Sequence, residues 1–299
     1  MENSTFYKYA QSICEIYENY PVAKHSTFRI GGNAELAAFP KNGQELCGIL
    51  SLASAHGIKA RVIGNASNIL FSSDGISGML VFTEKMNGIV REGNIIRAEC
   101  GAKLSALCNE ARKHGLGGAE FAFGIPGTVG GAIYMNAGAH GGEIADILTE
   151  SVCFDRKTGK LVTLSASEHC FGYRKSVFEG SGLTVLSSSF ALCEADPEAI
   201  AERMRVYTEK RKASQPLTLP SAGSVFKRPA VGFAGKYIED AGLKGLTVGG
   251  AQVSEKHAGF IVNIGGADSH DVLELIDKVK TEVSRRFGVL LETEIIYID

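Results

Sequence analysis

The chain has 299 residues, 44% hydrophobic and 21% charged, with a formal net charge of −2, a balance that excludes a disordered or fibrous chain. It leaves no overall basic field to draw in nucleic acid or anionic lipid. Length suggests two domains, and one oddity stands out: 36 glycines, about 12% against a usual ~7%, with no Gly-X-Y period, so the excess must serve particular loops.

The first twenty residues carry Glu2, Lys8, Glu15 and Glu18 within an apolar pattern, which reads neither as a signal peptide nor as a membrane span. Apolar residues at helical spacing (Phe6, Tyr9, Ala10, Ile13, Ile16, Tyr17, Tyr20) predict a helix over 4–20, and 42–56 predicts another, from Asn42 to a Gly57 stop. From 58 to 100 the pattern turns to strands: ARVIG, GMLVF, then two alternating runs divided by Glu92-Gly93-Asn94, as in a hairpin. A helix over 103–113 follows. Residues 146–164 read as a second hairpin turning at 157–159, 183–194 as a strand, and 197–212 as a helix. Pro216 and Pro220 mark a break, so a domain boundary falls in 194–220. Beyond it the pattern predicts a strand (224–228), a short helix (234–241), strands (246–253, 258–264), a long helix (270–287) and a final strand (289–298).

Seven cysteines without a CxxC pair point away from a disulfide framework or a cysteine zinc site and toward a reducing cytoplasm. No HExxH spacing occurs, so no metal is expected. Neither GxGxxG nor a complete Walker A is present, which disfavours the two commonest nucleotide folds. Glycine is densest over 115–142, ten of 28 positions. Two segments suit a diphosphate, GNASNIL (64–70) and GIPGTVGGA (124–132), because successive glycines let backbone N–H groups approach closely and a helix N-terminus adds partial positive charge. The bland alternative is ordinary turns and close packing. Two such loops in one domain, each after a β-patterned run and flanked by Ser, Thr or Asn, favour the phosphate reading.

STFRIGGNA (26–34), GNASNILFS (64–72), FGIPGTVGGAIYMNAGAHGGE (123–143), FGYRKSVF (171–178), SAGSVFKRP (221–229), AGLKGLTVGGAQVS (241–254) and LLETEI (290–295) together resemble the UDP-N-acetylenolpyruvoylglucosamine reductase (MurB) family, in the family's order and across nearly the whole chain. The likeness is to the shorter subgroup, which lacks an inserted Tyr-bearing loop. It implies an α+β protein: an FAD-binding domain of the vanillyl-alcohol-oxidase (PCMH) type at 1–195, in subdomains of about 1–57 and 58–195, and a C-terminal substrate domain at 196–299. It also implies the reaction, in which NADPH reduces non-covalent FAD, which then reduces the enolpyruvyl group of UDP-N-acetylglucosamine enolpyruvate to give UDP-N-acetylmuramate for peptidoglycan. The expected partners are these small molecules, with no nucleic acid, membrane or obligate protein partner.

By resemblance Ser224 is the proton donor, while Arg174 and Glu294 stabilise the enolate; Glu292, two positions from Glu294, would share its strand face. Hydride addition at C3 builds negative charge at C2 and on the carboxylate, so a fixed cation and an acid are what the chemistry needs. A turn serine, a surface arginine and a strand-face carboxylate are the ordinary alternatives. Flavin contacts are expected from Gly64, Asn65, Ala66, Ser67, Asn68, Ile69 and Leu70, and from Ile125, Pro126, Gly127, Thr128, Gly130, Gly131 and Ala132. Asn136 and Gly138 extend that set, and Arg29 with glycines 31–32 would line the ring. Tyr173 is a candidate contact for nicotinamide or substrate, and Lys227, Arg228, Lys236 and Lys244 form a local basic set suited to the UDP diphosphate or the NADPH phosphates, with solvated surface charge the equal alternative. His25 and His140 are the histidines to check for a covalent flavin link. Two other functions stay open at this level: a flavin oxidase of alcohols or hydroxy acids, and a sugar-nucleotide-binding protein without redox chemistry.

Overall fold

The computed structural model describes residues 2–299, which group into two compact units, each with its own core. The first comprises residues up to Glu18, Leu36–Asn65 and Gly78–Lys210; the second comprises Asn19–Glu35, Ala66–Ser77 and Arg211–Asp299.

In the first unit the expected helix over 4–20 is shorter. Helix α1 runs Glu2–Ile13, and a strand, Glu15–Pro21, takes up the rest. Ile16 turns inward between exposed neighbours, and this tyrosine-rich stretch gains more from pairing beside Asn33–Phe39 than from helical continuation. Helix α2 (Gly43–Ala55) matches its sequence signals: the Asn42 side chain accepts the Glu45 N–H, and Gly57 follows at φ 66°. Leu46, Ile49, Leu50 and Ala53 bury one face of α2.

The five-stranded sheet of this unit is antiparallel throughout, in the order Lys160–Ser165, Leu148–Asp155, Leu183–Ala191, Ile95–Glu99, Ile89–Glu92. Both expected hairpins are in it, with Gly93 (φ 61°) and Gly159 (φ 69°) supplying the left-handed turn residues. Helix α3 (Leu104–Lys113) and the six-residue α4 (Val129–Tyr134) bury their apolar sides in the same core. Helix α5 (Pro197–Ser214) carries the chain from the first unit into the second.

In the second unit a small antiparallel sheet (Thr247–Val248, Ala251–Val253, Ile261–Asn263) packs on helix α7 (Ser269–Phe287). α7 starts from an Asp268 capping box, buries Val272, Leu275, Ile276, Val279 and Val283, and ends at Gly288 (φ 66°). Helix α6 (Ala234–Asp240) lies beside it. The strands expected over 224–228 and 289–298 are mostly absent. Residues 224–227 instead form an irregular ribbon with isolated bridges Ser224–Phe260 and Phe226–Thr293, because Gly223 at φ 76° and Pro229 interrupt regular pairing at its ends. Only Ile296–Ile298 is regular, running parallel to Ile69–Phe71.

Candidate active site

In the first unit, the two glycine-bearing loops meet. Gly64 approaches Thr128 so closely that a Cβ at position 64 would sit 2.2 Å from Thr128 Oγ1; only glycine permits this. The Asn65 amide donates to the Pro126 carbonyl at 2.6 Å. Thr128 in turn caps α4, its Oγ1 accepting from Gly131 N–H at 3.4 Å. The first N–H groups of α4 are committed elsewhere, Val129 to Ala102 O and Gly130 to Cys100 O, both at 2.8 Å, and a Cβ on Gly130 would meet Cys100 Cβ at 3.0 Å. Gly130 is therefore a packing glycine, while half-buried Gly64, Asn65 and Gly127 and exposed Pro126 form the rim over the buried Thr128. The close approach of these two loops, joined through the Asn65 and Thr128 side chains, suits a dinucleotide phosphate.

Just past the C-terminal end of α4, Asn136 is fully buried and left-handed (φ 41°). Its Oδ1 accepts from Ala145 N–H and its Nδ2 donates to Gly172 O. Arg174 sits at φ 52° in the turn closed by the Gly172–Lys175 bridge, and its guanidinium donates to Asn136 O (3.5 Å) and Gly138 O (3.3 Å). Tyr173, half exposed, lies under the Arg174 guanidinium at 5.1 Å. Arg174, Asn136 and Gly138 are thus one local cluster. His140 stacks face to face on Tyr207, with ring centroids 4.2 Å apart.

In the second unit, the 224–227 ribbon brings Ser224 and Glu294 onto neighbouring backbone. Val225 N–H donates to Gly259 O, Glu294 N–H to Val225 O at 2.7 Å, and Lys227 N–H to Glu292 O. The Ser224 hydroxyl donates to Phe226 O at 3.4 Å, a weak bond that leaves it able to turn. Glu292 is engaged with Lys227 at 3.5 Å. The Asn68 amide donates to Glu294 O, and Gly223 packs above Ser67 O, so the 66–70 segment and the Ser224 region belong to one body. Ala66 here is left-handed (φ 45°), as is the exposed Arg29 (φ 56°). Glycines 31 and 32 have a packing cause: a Cβ would meet Val22 and Phe71 side chains at 2.7 and 2.9 Å, or Ser73 O at 2.5 Å.

Of the basic set, Lys236 pairs with Asp240 and Lys244 with Glu239, while Arg228 lies over the exposed Phe233 ring at 4.5 Å. Such surface pairs are weak enough to be exchanged for a ligand phosphate. The sequence did not single out His257 or Gly259. Gly259 N–H donates to His257 Nδ1 at 3.1 Å, and a Cβ at 259 would lie 3.1 Å from His257 Cε1 and 3.4 Å from Ser224 Oγ. Burial, reinforced by the Lys244 charge, holds the His257 pKa below its ordinary value, so this neighbour of the serine is a neutral imidazole. A histidine three residues past a serine in VSEKHAG carries no spacing signal that could have revealed it.

Among the described residues no helix is long and apolar enough to cross a membrane. An FAD-binding domain matches residues 34–165, and the C-terminal domain of UDP-N-acetylenolpyruvoylglucosamine reductase matches residues 215–298. The protein is therefore an oxidoreductase of the α+β flavoenzyme class, with an FAD-binding domain of the PCMH kind. It is 46% identical over 286 residues to a UDP-N-acetylenolpyruvoylglucosamine reductase of Caldicellulosiruptor bescii, covering 95% of this chain and 91% of the relative. With a Streptococcus pneumoniae (strain Hungary19A-6) reductase it shares 45% over 275 residues, 92% and 91% of the two chains. The crystal structure of the Thermus caldophilus reductase superposes with a TM-score of 0.81 at 34% identity, covering 96% of this chain and 99% of that one. The chain belongs to the UDP-N-acetylenolpyruvoylglucosamine reductase family.

Proposed function

We propose that the protein catalyses the NADPH-dependent reduction of UDP-N-acetylglucosamine enolpyruvate to UDP-N-acetylmuramate, a cytoplasmic step of peptidoglycan synthesis, with FAD bound non-covalently. The observation that carries this reading is family membership over nearly the full length. The region up to about residue 195 supplies the flavin site, and the region from 196 supplies Ser224 and Glu294. FAD, when bound, passes reducing equivalents from NADPH to C3 of the enolpyruvyl group.

The chain's own residues do the rest. Segments 64–70 and 125–132 contact the cofactor through backbone and side chains, with Asn136, Gly138 and Arg29 contributing around it. The Arg174 guanidinium, a planar cation with a fixed fork of donors, neutralises the carboxylate as the enolate forms. The Ser224 hydroxyl then gives its proton to C2, and the adjacent Glu294 carboxyl stabilises the enol. Tyr173 contacts the nicotinamide or the substrate, and Lys227, Arg228 and Lys236 bind the UDP diphosphate or the NADPH phosphates. The reaction balances as one hydride to C3 and one proton to C2.

Stopped-flow flavin absorbance under anaerobic conditions separates the two halves. Ser224→Ala is expected to leave bleaching by NADPH nearly intact and to slow reoxidation by the enolpyruvyl sugar nucleotide by roughly 10²–10⁴-fold. Equal loss in both halves overturns the assignment of Ser224, and protein that cannot be reconstituted with FAD overturns the function.

A further inference from the structure

The turn carrying Arg174 is held in a conformation that its residues do not favour. Cys170 and Arg174 both have positive φ, 49° and 52°. Non-glycine residues persist in this region only where their surroundings over-determine them. The ring of His169 supplies much of that constraint. It is fully buried, stacks on Phe171 at 5.1 Å and meets Phe178 edge-on at 5.7 Å, and these two phenylalanines are the feet of the turn. The His169 carbonyl accepts the Val177 N–H at 2.8 Å, closing the loop behind Arg174.

The hydrogen bonds of the ring have a single consistent direction. Nδ1 faces the Ser165 carbonyl at 2.8 Å, which can only accept, so Nδ1 carries the hydrogen. Burial lowers the His169 pKa, so Nε2 is bare and accepts the Ser151 hydroxyl at 2.8 Å. Ser151 Oγ, having donated, accepts from Ser188 at 2.7 Å. Ser151 and Ser188 are buried on the two central strands Leu148–Asp155 and Leu183–Ala191. A fully satisfied polar chain of this kind ties the ring rigidly to the sheet.

We propose that His169 is a positioning residue for substrate reduction: its ring and the Ser188–Ser151 chain hold the Gly172–Lys175 turn so that Arg174 presents its charge in fixed geometry. This rests on the reading of Arg174 as the group that stabilises the enolate. The test compares His169→Leu, His169→Gln and Arg174→Ala in the holoenzyme, with hydrogen exchange of the flavin-free proteins alongside. His169→Leu is expected to slow flavin reoxidation by about 10–100-fold with KM for the enolpyruvyl substrate little changed. It also speeds amide exchange across 170–178 while the two central strands stay protected. His169→Gln, whose carboxamide oxygen can still accept from Ser151, restores most of the rate. Normal reoxidation in His169→Leu beside a slow Arg174→Ala overturns the inference alone; normal reoxidation in Arg174→Ala overturns the reading beneath it. If His169→Leu does not fold, Ser151→Ala keeps the ring but removes its donor. A several-fold loss with faster exchange at 170–178 then supports the proposal, and unchanged rate and exchange refute it.

Discussion

Gly64→Ala gives the most direct test of whether the two glycine loops form a cofactor rim. Gly64 does not have a left-handed φ, so alanine is acceptable to the backbone and the effect is steric alone. The new Cβ would lie 2.2 Å from Thr128 Oγ1 and 3.4 and 3.5 Å from its Cβ and Cγ2. Ordinary contact begins near 3.4 Å, so the oxygen has to move by about 1.2 Å (3.4 − 2.2). Two responses are open to it. Rotation of Thr128 forfeits the cap of α4, about 1 kcal/mol, and separation of the loops breaks the Asn65–Pro126 bond and imposes overpacking strain of roughly 1–3 kcal/mol. Either way the expected loss is about 1–3 kcal/mol, which is roughly 5–150-fold in FAD affinity if it falls on the cofactor-binding conformation. Titration of the flavin-free protein with FAD, followed by flavin fluorescence, measures it. The double variant Gly64→Ala/Thr128→Ser keeps the clashing oxygen and stays weak, whereas Gly64→Ala/Thr128→Ala removes it and recovers affinity relative to Gly64→Ala. Wild-type FAD affinity in Gly64→Ala refutes the argument.

Gly259→Ala places a methyl 3.1 Å from His257 Cε1 and 3.4 Å from Ser224 Oγ; it is expected to slow reoxidation by substrate by about 10-fold with flavin content unchanged, and an unchanged rate would detach Gly259 from the serine's surroundings. Asn42→Ala removes the cap of α2 and is expected to lower stability by about 1 kcal/mol in urea unfolding, with no change in flavin spectrum; a loss below the error of the fit refutes the cap's contribution. Stability also depends on pH through His169 and His257, whose pKa values burial lowers from 6.5. The unfolded chain binds their protons first, so their contribution is complete above pH ~6.5 and declines as pH falls toward the lowered folded values. Thermal melts between pH 8 and 5 read this, with a shallower slope expected for His169→Gln; an equal or steeper slope would exclude His169 as a source.

What the sequence made legible is what neighbouring residues decide. Asn42, Gly57 and the turns at 92–94 and 157–159 all act within a few residues, and the elements stand where those signals put them. Long-range pairing is another matter. Ile69–Phe71 takes its partner at Ile296–Ile298, 227 positions away (296 − 69), and no local pattern assigns 66–77 to the same compact unit as Arg211–Asp299. The tyrosines of 15–20 fit either period, and pairing decided for the strand.

Backbone strain is the least legible property, and it bears most on the candidate site. Among the described residues seven non-glycine positions have positive φ; Arg29, Ala66 and Asn136, expected from sequence as flavin contacts, and Arg174, expected as the enolate-stabilising cation, are among them. The glycine-rich motifs suggested that flexible positions do the chemistry, yet at these four the chain holds a side chain where glycine would be easier to accommodate. At Arg174 that conformation costs about 1–2 kcal/mol relative to glycine. A glycine would close the Gly172–Lys175 turn equally well, but it has no guanidinium to reach Asn136 O and Gly138 O. On the proposed reading of Arg174, the strain there is explained by where its charge has to stand, and the clamp of His169, Phe171 and Phe178 behind it holds that position.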